Sequence, residues 1–84
     1  MRHFASRSFW DAYQKLPERT RLLADKNYEL LKLDPDHPSL HLKKVGDYWS
    51  VRIGIRYRAL ATECDAGLLW FWIGSHADYD AMIR

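Results

Sequence analysis

Trp49-Ser50-Val51-Arg52-Ile53-Gly54-Ile55-Arg56-Tyr57-Arg58-Ala59-Leu60-Ala61 is the stretch that decides how this chain folds. Its odd positions are all apolar, and its even positions up to Arg58 are Ser50, Arg52, Gly54, Arg56 and Arg58. Period-two alternation sends successive side chains to opposite faces of an extended chain, so one face is buried and the other is basic. Gly54 divides the stretch into a hairpin. A three-residue loop at Gly54-Ile55-Arg56 sets Ile53 opposite Tyr57, Arg52 opposite Arg58 and Val51 opposite Ala59. A two-residue turn at Gly54-Ile55 would set Ile53 against Arg56 and Arg52 against Tyr57. A one-residue slip throws a strand's apolar set to the wrong face, so the pattern predicts the longer loop.

Outward from the hairpin, a turn at Glu63-Cys64-Asp65-Ala66-Gly67 leads to Leu68-Leu69-Trp70-Phe71-Trp72-Ile73. This unbroken apolar run predicts a central strand covered on both faces. Trp70 and Trp72, two apart, are then expected to share one face within the core. The polar remainder from Gly74 to Arg84 reads as a short terminal helix. On the other side, Leu40-His41-Leu42-Lys43-Lys44-Val45 reads as a strand. Its alternation places His41, Lys43 and Val45 on one face and Leu40, Leu42 and Lys44 on the other. Lys43 is the lysine expected to join the arginines, and Lys44 reads as an edge charge that guards against aggregation.

The first half reads as helical. Phe9, Trp10, Tyr13 and Leu16 recur at three- and four-residue steps after Ser8, which with Asp11 has nearly the spacing of a capping box, so a helix is expected from about Ser8 to Lys15. Pro17 suits the first turn of a second helix, Glu18 through Leu33, and Asp34-Pro35-Asp36-His37-Pro38-Ser39 ends it. The expected fold is α+β over residues 1–84: two N-terminal helices packed on a small, mainly antiparallel, twisted sheet, with a short C-terminal helical turn. No internal repeat or domain linker interrupts it.

Composition narrows the function classes. The 84 residues are 48% hydrophobic with Trp 4, Tyr 5 and Phe 3, enough for a compact core, and the net charge of +2 excludes a polybasic protein. That total hides a gradient: residues 43–60 carry +4 and residues 61–84 carry −3. A basic block beside an acidic one points to a local anion-binding face. Cys64 is the single cysteine, so neither an internal disulfide nor a Cys-rich zinc site is expected. With no apolar leader or membrane-length run, the expected location is the cytoplasm.

The hairpin register carries the chemistry. Like charges opposed across a ladder are unfavourable by up to about 1 kcal/mol, so Arg52 facing Arg58 calls for an anion between them. Two guanidinium forks on one rigid face suit a phosphate. The alternative is that both are solvated or pair with helix carboxylates. His76 and Tyr79, three apart in a helical turn, share a face on which imidazole can move a proton while the phenol stacks or orients. His76 as a hydrogen-bonded structural residue is the plainer reading, and His37 reads as a rigid-loop residue. No Gly-rich phosphate loop, metal-ligand cluster or nucleophile triad is present, and Cys64 beside two acids makes a poor nucleophile.

In order and spacing, Asp34 to Leu40, the strand Trp49 to Ile53, Tyr57-Arg58-Ala59-Leu60, and Trp72-Ile73-Gly74-Ser75-His76 with Tyr79 resemble the RelE/ParE toxin superfamily, from about Phe4 to the C-terminus. The resemblance implies the toxin of a bacterial type II toxin-antitoxin pair, with a cognate antitoxin as partner. For the RelE-like branch it implies a ribosome-dependent mRNA endoribonuclease that represses translation, with attack of a ribose 2′-hydroxyl on the adjacent phosphate and no metal or cofactor. Arg52 and Arg58 are then implied as the phosphate clamp and His76 as general acid or base, with Lys43, Tyr79 and Arg56 as supporting substrate contacts. A ParE-like gyrase inhibitor, or an inactive member that only binds an antitoxin, is the alternative. Two positions depart from the family pattern: Ser50 stands where some members place a second lysine, and Ala77 where many carry a basic residue.

Overall fold

The computed structural model describes residues 2–83. In chain order the elements are β1 (Arg2–Ala5), α1 (Arg7–Gln14), α2 (Glu18–Leu33), β2 (Lys43–Val45), β3 (Tyr48–Ile53), β4 (Tyr57–Cys64), β5 (Gly67–Ser75) and α3 (His76–Ile83). The strands form one sheet in the order β1-β5-β4-β3-β2, with β1 parallel to β5 and every other pairing antiparallel. The α+β architecture expected from sequence is present.

The hairpin register is the expected one: Ile53 pairs with Tyr57, Arg52 with Arg58 and Val51 with Ala59. Gly54 takes φ +61°, a left-handed conformation that costs glycine little. Val51, Ile53 and Ala59 face the helices and join Leu16, Ala24, Leu31 and Leu40 in the core. Helix α2 has the expected bounds, beginning after Pro17. Helix α1 starts one residue early, because Ser6 rather than Ser8 is its N-cap and accepts the Phe9 N–H at 3.3 Å. The Tyr13 hydroxyl donates to Asp25 at 2.7 Å and ties α1 to α2.

Four expectations are corrected. Strand β1 stands ahead of the first expected helix, where no strand was expected; it is four residues long and docks in parallel, Arg2 opposite Gly67 and Ala5 opposite Trp70. Only Lys43–Val45 of the Leu40–Val45 stretch is strand, since His41 takes φ +50° and bends the chain out of the ladder. The Leu68–Ile73 run is an interior strand, between β1 and β4, but it is not covered on both faces, since only one of its faces is fully buried. Finally, Trp70 and Trp72 do not share a face. A bulge between Leu60 and Ala61 sets Trp72 opposite Leu60 but Trp70 opposite Ala61, with Phe71 as the extra residue. Leu68, Trp70 and Ile73 are therefore buried toward the helices, while Leu69, Phe71 and Trp72 are half-buried.

Candidate functional site

The face of the sheet away from α1 and α2 is where the basic residues gather. Alternation from Arg52 and Arg58 places Lys43, Tyr48, Ser50, Leu60 and Trp72 on this face through the ladder pairs Lys43–Ser50, Ser50–Leu60 and Leu60–Trp72. Arg52 is held by its backbone: its N–H donates to the Leu40 carbonyl at 2.7 Å, and its carbonyl accepts from the Asn27 side chain on α2 at 3.3 Å. Its neighbour Arg58 is half-buried on the central strand. Among the described residues the ion pairs are Lys32–Glu29, Lys44–Glu63 and His76–Asp80, so no carboxylate neutralises Arg52, Arg56, Arg58 or Lys43.

Helix α3 completes the site. Ser75 Oγ accepts the Asp78 N–H at 3.1 Å in the manner of an N-cap, and the His76 N–H donates to the Arg56 carbonyl at 2.7 Å. These bonds lock the helix start to the hairpin loop. Arg58 Nε donates to His76 Nδ1 at 3.1 Å, and the Arg58 guanidinium carbon lies 5.2 Å from the centre of the Tyr79 ring. The His76 and Tyr79 rings stack with centroids 5.9 Å apart and an interplanar angle of 27°. Tyr79 is only 3% exposed and so forms part of the floor rather than reaching outward. On the outer side of the imidazole, Nε2 lies 3.4 Å from Asp80 Oδ2.

Four of the six candidates thus gather at one end of the face: Arg52, Arg58, His76 and Tyr79. Lys43 lies on the same face one ladder step away, opposite Ser50, and is exposed. Arg56 sits in the loop with its side chain exposed, and its carbonyl, not its guanidinium, is what engages α3. Lys44 points to the other face, near Glu63, which also accepts from the Trp49 indole at 3.1 Å. His37 caps its own loop through Ser39, as expected. Sequence reading missed Asp80, although its spacing of four from His76 on a helix marks it as a neighbour. It also missed the indole of Trp72, which fills the space where a Cβ on Gly74 would stand.

The arrangement can bind an anion and move a proton beside it. Two unneutralised guanidinium groups present a fork to phosphate oxygens. Because His76 Nδ1 accepts from Arg58, its lone pair is engaged while Arg58 stays in place. Moreover, Arg58 Nη1 is buried with no acceptor, a cost that an incoming oxyanion relieves. An apolar cavity of about 330 Å³ lies on the opposite side of the sheet, between the helices and Val51, Ile53 and Trp70. It contains none of the six candidates. Among the described residues no three His, Cys, Asp or Glu side chains gather as a metal-binding group.

Comparisons with known proteins agree with this architecture. No curated protein matches in sequence. A chain of the RelB-RelE antitoxin-toxin complex from Methanococcus jannaschii superposes with a TM-score of 0.73 at 13% identity, over 96% of this chain and 99% of that one. A YoeB/ParE toxin from Agrobacterium tumefaciens superposes with a TM-score of 0.67 at 20% identity, over 90% of this chain and 99% of that one. At these identities the likeness is one of fold. The family model for the ParE-like toxin domain matches residues 21–81, which span most of α2, the antiparallel strands and most of α3, and on that match the chain belongs to the ParE-like toxin domain family, within the RelE/ParE toxin superfamily.

Proposed function

We propose that this toxin is a RelE-like mRNA endoribonuclease that acts on the ribosome. The observation that carries the reading is Arg52 opposite Arg58 on an open sheet face, neither of them paired with a carboxylate among the described residues, with His76 hydrogen-bonded to Arg58. A substrate phosphate competes with His76 for Arg58. As the guanidinium turns to the phosphate, the Nδ1 lone pair is released to take the proton of the neighbouring ribose 2′-hydroxyl. The 2′-oxygen bonds to phosphorus, the bond to the 5′-oxygen breaks, and that oxygen leaves with a proton from the imidazolium or from water. Products are a 2′,3′-cyclic phosphate and a 5′-hydroxyl. Arg52 and Arg58 stabilise the charge that gathers on the phosphoryl oxygens, and the half-buried setting of Arg58 strengthens that interaction.

The partner carried over from the fold likeness is an antitoxin, since the M. jannaschii neighbour comes from an antitoxin-toxin complex. No helix among the described residues is long and apolar enough to cross a membrane. The cytoplasm is the location that the proposed ribosomal target implies. The second reading, gyrase inhibition without RNA cleavage, is favoured by the ParE-like family match. The two separate cleanly. Induced expression is expected to arrest growth with cleaved transcripts, and Arg58→Ala or His76→Ala to lower cleavage on programmed ribosomes by 100-fold or more, of the order seen for lost charge stabilisation or acid-base groups. Growth arrest that survives His76→Ala, with DNA damage and intact transcripts, establishes the gyrase reading instead.

A further inference from the structure

The far end of the open face carries a feature that the phosphate site does not use. Tyr48, 43% exposed on β3, and Phe71 on β5 bring their ring centroids within 5.3 Å at 59°, although β4 lies between their strands. The bulge at Leu60/Ala61 makes this possible by letting two consecutive residues, Phe71 and Trp72, both lie on the open side. Two hydrogen bonds from the start of α1 to the β5 backbone hold the distortion in place. The Ser6 N–H donates to the Trp70 carbonyl at 2.9 Å, and the Ser8 hydroxyl donates to the Phe71 carbonyl at 2.8 Å.

We propose that Tyr48 and Phe71 form a stacking platform for the bases of single-stranded RNA flanking the phosphate held at Arg52 and Arg58. The inference rests on the RNA reading of that site. Tyr48 stands four residues from Arg52 on β3, about 13 Å along the strand, a span that a nucleotide chain crosses in a few steps. Lys43 flanks the path on the neighbouring strand, opposite Ser50. The strands add no carboxylate to this face, because Glu63 is turned to the other side toward Lys44 and Trp49. An aromatic pair continuous with a strip of unneutralised cations fits a polyanion with flat apolar groups better than it fits an apolar peptide. Stacking on aromatic rings is also sequence-tolerant, since every base offers a π-face.

The test is fluorescence anisotropy with a labelled, fully 2′-O-methylated ten-nucleotide single strand, which binds but cannot be cleaved. Tyr48→Ala is expected to weaken binding about tenfold. Tyr48→Phe should bind like the wild type, as should Lys26→Ala on the exposed side of α2, and melting curves confirm that each variant folds. Wild-type protein that does not bind the strand, or Tyr48→Ala that binds as tightly as wild type, overturns the platform. Equal weakening toward single-stranded and duplex RNA also overturns it, because duplex bases are unavailable for stacking. Loss of antitoxin binding by Tyr48→Ala with RNA binding intact reassigns the pair to a protein interface. Cleavage on programmed ribosomes by the wild type and Arg58→Ala judges the nuclease reading separately, so either idea can fail alone.

Discussion

Ser50 is fully buried on the basic face, and its hydroxyl has no hydrogen-bond partner. A buried hydroxyl left unpaired costs roughly 1–3 kcal/mol, so Ser50→Ala is expected to leave the fold equally stable or to stabilise it by about 1 kcal/mol. Chemical denaturation measures this, and a clear loss of stability would expose a bonded role for the hydroxyl. Gly74 behaves in the opposite way. Its φ is ordinary, but the Trp72 indole occupies the place of its missing side chain. Gly74→Ala should therefore push the indole outward, cost about 1–3 kcal/mol and shift the tryptophan emission. The shared face of Arg52, Arg58 and Lys43, and the adjacency of His76 and Tyr79, were legible because alternation and helical spacing fix which way a side chain turns. The burial of Tyr79 was not, since it depends on how α3 tilts over the sheet.

At the level of elements, the hairpin and α2 could be read from sequence because their signals are local: period two, a glycine at the loop and a proline at the helix start. Strand β1 could not. Four residues carry too little pattern, and its partner lies more than sixty positions away, Arg2 opposite Gly67. The trace it leaves is indirect, at Gly67, where any Cβ would collide with the Arg2 carbonyl. The bulge was equally hidden, for an apolar run looks the same with or without an extra residue. His3 gives β1 a measurable signature. Its Nδ1 accepts from the Trp70 indole at 3.1 Å, and burial, reinforced by the positive charge of Lys32, lowers its pKa. The unfolded chain, with a pKa near 6.5, takes up the proton first as pH falls. The stabilising contribution is thus complete above that value and is lost as pH drops through the lower folded-state pKa. The melting midpoint is expected to fall between pH 7 and pH 5, and to fall less in His3→Gln.

Taken whole, the molecule carries +2, yet the strands bearing the site hold the +4 of residues 43–60. Binding to single-stranded RNA through Lys43, Arg52 and Arg58 should give a slope of log affinity against log salt of about −2, and Arg52→Ala should reduce its magnitude by about 0.7. A flat salt response would remove RNA from the reading of this face. The parallel docking of β1 on β5 also bears on the chain's birth. The first strand has no partner until residues 67–70 have been made, and α3, which brings His76 and Tyr79 to Arg58, follows them. Contacts this distant in sequence form late. During synthesis, then, the growing polypeptide lacks both its closing strand pair and the His76 imidazole until residues 67–76 have been made, so the site proposed to hold RNA is assembled only after the antiparallel hairpin that carries its arginines.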